Sequence, residues 1–380
     1  VSLHTKVQGT ELSKLLGDFM PEFDYQEQLG SLAGAFTLAD KGDEWQLTGL
    51  KLAAGNESTP LQLSLKGEIS DLGGLPKANL LGQADFRDTA LLQALTGLPL
   101  SPIEAKLQLS TSPYGVHGVI NTEIGQTLLN LNTVVAFQGD SINSLQLILD
   151  TPHLYLQNLF NVQHSLVPVQ TPAGQAPPKG PLEQLRESPP GFPIDVAVRI
   201  GGISGDNSHI DSLAVRVTGI DHRYTLENFS AVYDNALAEM RGLIDLKAEP
   251  AVFSLAGSAT ALPLSAILTD VGVNTNVSGA LTVLAGISAI GDSPAQLVAN
   301  LDGSIAIALE NAVIEGAAYD LLATDLLAWI YSGALTETST YLDCTMAKFQ
   351  LREGVATTDS LYIESAKMVA TGKAEFDLVK

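Results

Sequence analysis

A serine set among glycines, Gly202-Ile203-Ser204-Gly205, has the look of a nucleophile on a sharp turn. It lacks the Gly-x-Ser-x-Gly spacing with which a strand–turn–helix elbow exposes a reactive hydroxyl. The stretch Gly286-Ile287-Ser288-Ala289-Ile290-Gly291 fails the same test. The one cysteine, Cys344, is another potential nucleophile. Its flank, Leu342-Asp343-Cys344-Thr345-Met346, alternates apolar and polar as a strand does, and that pattern assigns it the role of a small buried hydrophobe. A single thiol also excludes an internal disulfide, so the redox compartment is not readable from cysteine usage.

Metal chemistry is no better supported. His4, His117, His153, His164, His209 and His222 are scattered, no two at helical metal-ligand spacing, and neither an HExxH nor a CxxC occurs. Two acidic clusters, Asp40-Lys41-Gly42-Asp43-Glu44 and Asp206-Asn207-Ser208-His209-Ile210-Asp211, lack the twelve-position ligand order of a calcium loop. They read as solvated hairpin turns. Gly372-Lys373 lacks the upstream glycine and the hydroxyl of a phosphate loop. Carboxylates for glycoside hydrolysis are plentiful, but aromatic surface to hold a sugar is not: Trp45 and Trp329 lie in different halves. The residues point to no catalytic constellation, no metal and no cofactor, and so to a protein that is not an enzyme.

Charge removes another class of function. The net charge of −22 repels nucleic acid, which needs clustered Lys and Arg, and makes anionic membrane surfaces poor partners. Charged residues are 16% of the chain, against a usual share of about 25%, while 45% are hydrophobic. Either the polar surface is built from Ser, Thr, Asn, Gln and Gly, or part of the apolar surface is left uncovered by the protein itself. No run approaches the ~18 apolar residues of a membrane-spanning helix. The chain opens at Val1 inside a strand-like phrase, without a signal peptide, so we expect a fragment whose export signal or anchor lies upstream.

The elements that must position any site are strands. Leu61-Gln62-Leu63-Ser64-Leu65, Ala105-Lys106-Leu107-Gln108-Leu109, Asp195-Val196-Ala197-Val198-Arg199-Ile200, Leu213-Ala214-Val215-Arg216-Val217 and Ile305-Ala306-Ile307-Ala308 all alternate apolar and polar. Side chains alternate faces along a strand, so each run is a ribbon with one apolar and one polar side. Short helical phrases interrupt them at Thr10–Gly17 (with Thr10 as N-cap), Asp88–Gly97, Thr151–Phe160, Ser265–Gly272 and Tyr319–Tyr331. The first three start 78 and 63 residues apart, with loosely repeated strand text between them. Such units are too small to bury their own faces and stack edge to edge. Residues 166–193 carry eight prolines, which precludes a regular helix or central strand. The expected organisation is therefore a β-repeat region over 1–165, a Pro-rich linker or loop over 166–193, and a second β region over 194–380. The fold class is mainly β: an antiparallel, curved, repeat-built sheet with an apolar concave face, or groove, and a few short amphipathic helices.

The last hundred residues carry a more specific text. Gly279-Ala280-Leu281-Thr282-Val283 leads to Leu297-Val298-Ala299-Asn300-Leu301-Asp302-Gly303-Ser304-Ile305 and Glu310-Asn311-Ala312-Val313-Ile314-Glu315-Gly316. Tyr319-Asp320-Leu321-Leu322 opens a helix, and Phe349-Gln350-Leu351-Arg352-Glu353-Gly354 and Gly372-Lys373-Ala374-Glu375-Phe376-Asp377-Leu378 close the region. This text resembles the C-terminal region of the AsmA family of bacterial envelope proteins. The match is good over 255–380, looser over 194–254, and rests on repeat style over 1–165. Ala312 and Ala374 stand where the family commonly has glycine, and the family's N-terminal inner-membrane helix is not in this chain.

The resemblance implies a periplasmic protein, anchored upstream in the inner membrane, with a role in outer-membrane biogenesis. The wider superfamily is similar to bridge-like lipid transfer proteins with apolar β-troughs. The expected partners are phospholipid and the membranes of the cell envelope. The candidate groove residues are Leu61, Leu63, Leu65, Leu107, Leu109, Val196, Val198, Ile200, Val215, Val217, Ile305 and Ile307. An ordinary core sealed by a second sheet or by helices is the competing account of the same residues. The competing function is a scaffold that assembles outer-membrane proteins through exposed strand edges.

Overall fold

A computed structural model describes residues 2–11, 29–40, 42, 44–56, 58–73, 77–96, 98–139, 141–159, 185–187, 189–205, 209–270, 277–315, 339–366 and 368–379. The chain divides into two compact units, Val1–Gly180 with Gly191–Asp206, and Pro181–Pro190 with Asn207–Lys380.

The first unit contains β1 (Ser2–Glu11), β2 (Ser31–Asp40), β3 (Trp45–Ala54), β4 (Leu61–Ser70), β5 (Lys77–Phe86), β6 (Ile103–Ser112), β7 (Gly115–Ile124), β8 (Thr127–Gln138) and β9 (Ser141–Thr151). Each pairs antiparallel with the next. Helix α1 (Thr89–Thr96) follows β5, and β10 (Leu154–Tyr155) and α2 (Leu156–Leu159) follow β9. Strand β11 (Ile194–Ile200) then returns to lie parallel to β9, with Val196 opposite Leu147 and Val198 opposite Leu149. The short β12 (Ile203–Ser204) runs parallel to β10.

In the second unit β13 (His209–Ile210) precedes β14 (Ser212–Ile220), β15 (Arg223–Tyr233), β16 (Ala236–Asp245), β17 (Val252–Pro263), β18 (Val277–Ile290), β19 (Asp302–Glu315), β20 (Ser339–Arg352), β21 (Val355–Ser365) and β22 (Met368–Asp377). From β14 onward each strand again pairs antiparallel with its successor. Helices α3 (Leu264–Asp270) and α4 (Pro294–Ala299) are inserted between strands. The architecture is thus mainly β, open and mostly antiparallel. Sequence-adjacent strands pair because hairpin turns of two to a few residues supply the positive φ these connections need, as at Asp221-His222 and Asp234-Asn235.

The helical expectations fare unevenly. Asp88–Gly97 is α1, its start capped by the Asp88 carboxylate, which accepts from the Ala90 N–H at 2.7 Å. Ser265–Gly272 corresponds to α3. Among the described residues of Thr151–Phe160, Leu156–Leu159 are helical, Thr151 ends β9 and Leu154-Tyr155 form β10. Thr10, expected as an N-cap, lies in β1. The remainder of that phrase, Tyr319–Tyr331 and most of 166–193 lie outside the described residues. Cys344 sits in β20 as expected, half-buried rather than buried. Ala312 is buried, and the bulge beside it is carried by Asn311 at φ +50° opposite Gly279. Asparagine tolerates that left-handed conformation, so the glycine missing at 312 is not required there.

Core formation is local. Leu91 of α1 is fully buried against Leu29, Ala54 and Leu61, with Leu32, Leu63, Phe86 and Leu95 packed around them. Many of the other buried apolar residues are alanines, including Ala236, Ala251, Ala289, Ala312, Ala347 and Ala356. Most strand leucines, isoleucines and valines are half-buried.

Candidate functional site: two apolar clefts

Residues directly opposite one another in a β-ladder share a face, so registers trace rows across each unit. In the first unit one row runs Gly34, Leu52, Leu65, Gly82, Leu107, Ile120, Leu131, Leu149 and Val198. The next runs Leu50, Gly67, Leu80, Leu109, Gly118, Thr133, Leu147 and Val196. Neither row contains a charge. The row between them mixes polar residues, Lys51, Lys66, Gln108 and Asn132, with apolar ones, Leu81, Val119, Ile148 and Ala197, and some polar residues of that face bond across strands, as Asn130 to Asn121 at 2.6 Å and His117 with Asn132 at 2.8 Å.

A cleft of about 360 Å³ opens on the first row, lined by Leu52, Leu63, Leu65, Gly82, Leu107 and Ile120 among others. Its floor is Gly82, which stands between Leu65 and Leu107 in the register. On the polar face a cleft of about 300 Å³ lies among Glu104, Lys106, Asn121, Asn130 and Asp150. Its charges are largely matched, Lys106 to Glu104 at 3.4 Å and Arg199 to Asp150 at 2.7 Å.

The second unit repeats the arrangement. One row runs Val217, Leu226, Gly242, Leu255, Ile287, Gly303, Leu351, Ala356 and Phe376. A cleft of about 440 Å³ lies on it, lined by Val217, Tyr224, Leu226, Gly242, Phe253, Leu255 and Ile287. Leu297 of α4 and Leu301 just beyond it form part of the wall. Helix α4 is fixed there by its cap: Ser293 Oγ accepts from the Gln296 N–H, and Gln296 Oε1 accepts from the Asp292 N–H at 2.8 Å.

Of the sequence candidates, Leu63, Leu65 and Leu107 line the first cleft and Val217 lines the second. Leu61 is 2% exposed beneath α1, so it is sealed core. Leu109, Val196, Val198 and Ile200 sit on the same face as the first cleft, farther along its rows. Val215 and Ile305 share a row through Phe229, Met240, Gly257 and Ala285, and Ile307 lies in the next, opposite Val283 and Ala347. The sequence reading missed Leu52, Gly82, Tyr224, Leu226, Gly242, Leu255 and Ile287.

Ser204, set among glycines, accepts or donates one hydrogen bond with His153 Nε2 at 2.7 Å, an interaction that ties β12 to the residue before β10. Among the described residues no three His, Cys, Asp or Glu are grouped to hold a metal ion, and no helix is long and apolar enough to cross a membrane.

These features define a mainly β protein with an open, mostly antiparallel sheet and clefts lined largely by apolar side chains. The family model of the AsmA family matches residues 26–361, and the chain belongs to that family of bacterial envelope proteins. Neither a curated protein nor a solved structure matches the chain significantly.

Proposed function

We propose that this chain binds phospholipid along its apolar rows and takes part in lipid traffic between the inner and outer membranes, in the periplasm. The observation that carries the reading is the uninterrupted apolar row in each unit, each with a cleft at a glycine floor. Burial of apolar area is worth roughly 25 cal/mol per Å², about 0.8 kcal/mol per methylene, so a tail laid on such a row gains several kcal/mol. An envelope family supplies the setting in which acyl lipid is abundant. The reading assigns no reaction to the chain, in keeping with a family not known for enzymes. Native mass spectrometry of protein purified from cells tests it. Copurified phospholipid, released by substitutions at Leu65 or Leu255, is expected; protein that emerges without lipid and takes up none from vesicles would sink the idea.

A second reading, a scaffold for outer-membrane proteins, draws on one feature. Among the described residues β22 pairs with β21 alone, and its Phe376 is 54% exposed. An edge of this kind accepts an added strand. Crosslinking discriminates: a proline at Thr371 abolishes capture of a strand partner if the edge is used, and a charge at Leu65 leaves capture intact.

A further inference from the structure

The reverse of the first unit's apolar face carries positive charge that the chain's own carboxylates do not answer. With 42 acidic residues to 20 lysines and arginines, a cation here has ample choice of partner. Lys106, Arg199, Arg223, Lys247 and Lys373 each hold a carboxylate. Lys6 and Lys51 are exposed, and among the described residues their ammonium groups hold neither an ion pair nor a hydrogen bond.

Register brings these two together from distant parts of the chain. Lys6 pairs with Ala35 and Ala35 with Lys51, so the lysines stand in one row on either side of an alanine. Strands lie about 4.8 Å apart, which puts the two Cα atoms roughly 10 Å apart. Between them is a dish of about 560 Å³, floored by Ala33, Ala35 and Ala53, whose side chains are too short to fill it. Lys6 and Lys51 are the charged residues of its lining, and no carboxylate among the described residues lines it. Gly34 and Leu52, the chain neighbours of Ala35 and Lys51, belong to the apolar row, so the sheet backbone separates the dish from the acyl cleft behind it. Lys66 lies outside the dish but directly opposite Lys51, a pairing of like charges that costs stability in a ladder.

A lysine is a compact cation with three donors on a flexible four-carbon stem. Two such stems, rooted on either side of Ala35, are long enough to reach a common point above the dish. The group that answers both is a compact oxyanion with two charges and several acceptor oxygens. A phosphate group carries about −1.5 to −2 charge at neutral pH, whereas a carboxylate carries one charge and answers one lysine. We infer that Lys6 and Lys51 clamp a phosphate group, free or as a monoester, over the alanine floor. This site is independent of the lipid-binding reading, because a lipid lying in the cleft has its head group on the other side of the sheet.

The test uses the whole chain at low ionic strength, with inorganic phosphate as probe and acetate as the monovalent control. Calorimetry is expected to detect phosphate and not acetate. Lys6→Gln combined with Lys51→Gln should weaken phosphate binding about tenfold, the size of one charge-assisted hydrogen bond. Arg241→Gln combined with Lys348→Gln removes the same charge from exposed positions of the second unit and should leave binding unchanged. Phosphate should raise the melting temperature of the wild type and not of the lysine variant, since a ligand stabilises the state it binds. Without phosphate the lysine variant should melt no lower than wild type, because it relieves the repulsion between Lys51 and Lys66. Vesicles of phosphatidic acid with phosphatidylcholine, against phosphatidylcholine alone, separate the sources. Sedimentation with the anionic vesicles that the lysine variant loses assigns the phosphate to a lipid head group; phosphate binding without such sedimentation assigns it to a soluble ion or monoester. Wild type that binds neither phosphate nor the anionic vesicles, that binds acetate equally well, or that keeps its affinity in the lysine variant overturns the assignment.

Discussion

Leu107 stands directly beside Gly82 in the β5–β6 register, its Cβ 3.3 Å from the point where a side chain on Gly82 would begin. Leu65 approaches the same point from the other side at 3.5 Å. The cleft of the first unit is lined by both leucines and by the glycine between them, which has no side chain. A glycine in a strand ordinarily weakens it, so its presence in the middle of an apolar row marks close approach by another group.

Gly82→Leu should fill that space. Binding of an acyl probe to the first unit should fall about tenfold, equivalent to two methylenes of lost burial. Lys66→Leu, which adds the same side chain to the exposed polar face one strand away, should leave binding unchanged. Calorimetry on both variants checks it; equal binding in Gly82→Leu and wild type would remove the cleft from the functional account.

Two leucines of one strand should behave in opposite ways. Leu61 is sealed with Leu29, Ala54 and Leu91, whereas Leu65, two turns of the pleat away, is half-buried at the cleft. Leu61→Ala should cost about 2–5 kcal/mol of stability through lost burial and a residual cavity. Leu65→Ala should cost about 1 kcal/mol, because part of its surface already meets water. Lipid retention should reverse that order, with Leu65→Ala losing more. Denaturant unfolding and lipid retention, measured on the same preparations, separate core from cleft.

This pair shows how far the sequence could be read. Alternation puts the candidate residues within each of β4, β6, β11, β14 and β19 on one face of that strand, because they recur at every second position. It could not say which of those residues α1 would cover, since that depends on where Leu91 packs in space. Alternation alone does not show the irregularity in β15. There Glu227 and Asn228 together face one residue of β16, so Tyr224 and Leu226 fall on the same face as Phe229 despite the odd spacing. A bulge of this kind shifts parity by one, so the phase set by Tyr224 and Leu226 does not carry through to Phe229. The glycine floors were hidden for another reason: Gly82 and Gly242 carry no hydrophobic signal and acquire their meaning from the neighbours that register brings beside them.

Gly303 is required by its backbone. It has φ +131°, and a Cβ there would meet the Gly286 carbonyl oxygen at 2.2 Å. Gly303→Ala should therefore destabilise the second unit by about 2–4 kcal/mol, combining backbone strain with a contact that backbone alone can relieve. Gly286, the residue that supplies that carbonyl, has open space where its own Cβ would go. Gly286→Ala should be neutral or stabilising by about 0.4–1 kcal/mol through the unfolded chain. Chemical denaturation of the two variants side by side checks the contrast.

Acid should loosen one specific clasp. Arg186, within the Pro-rich stretch, donates to the Asp292 carboxylate, and the Ala251 N–H donates to the same oxygen at 3.1 Å. Arg186 first, and the backbone donor second, hold the Asp292 carboxyl below the usual carboxylate range. A carboxyl depressed in the folded state binds fewer protons there than in the unfolded chain. Its contribution is fully present above the unfolded value of about 4 and is lost as pH falls through the lowered folded value. Wild type should therefore exceed Asp292→Asn in thermal stability at pH 7, and the gap should close progressively below about pH 4. High salt should shrink the gap at pH 7 too, because the pair is partly exposed and screened. Melting curves that stay parallel from pH 7 to acid would show that this ion pair does not hold the Pro-rich stretch to the turn before α4.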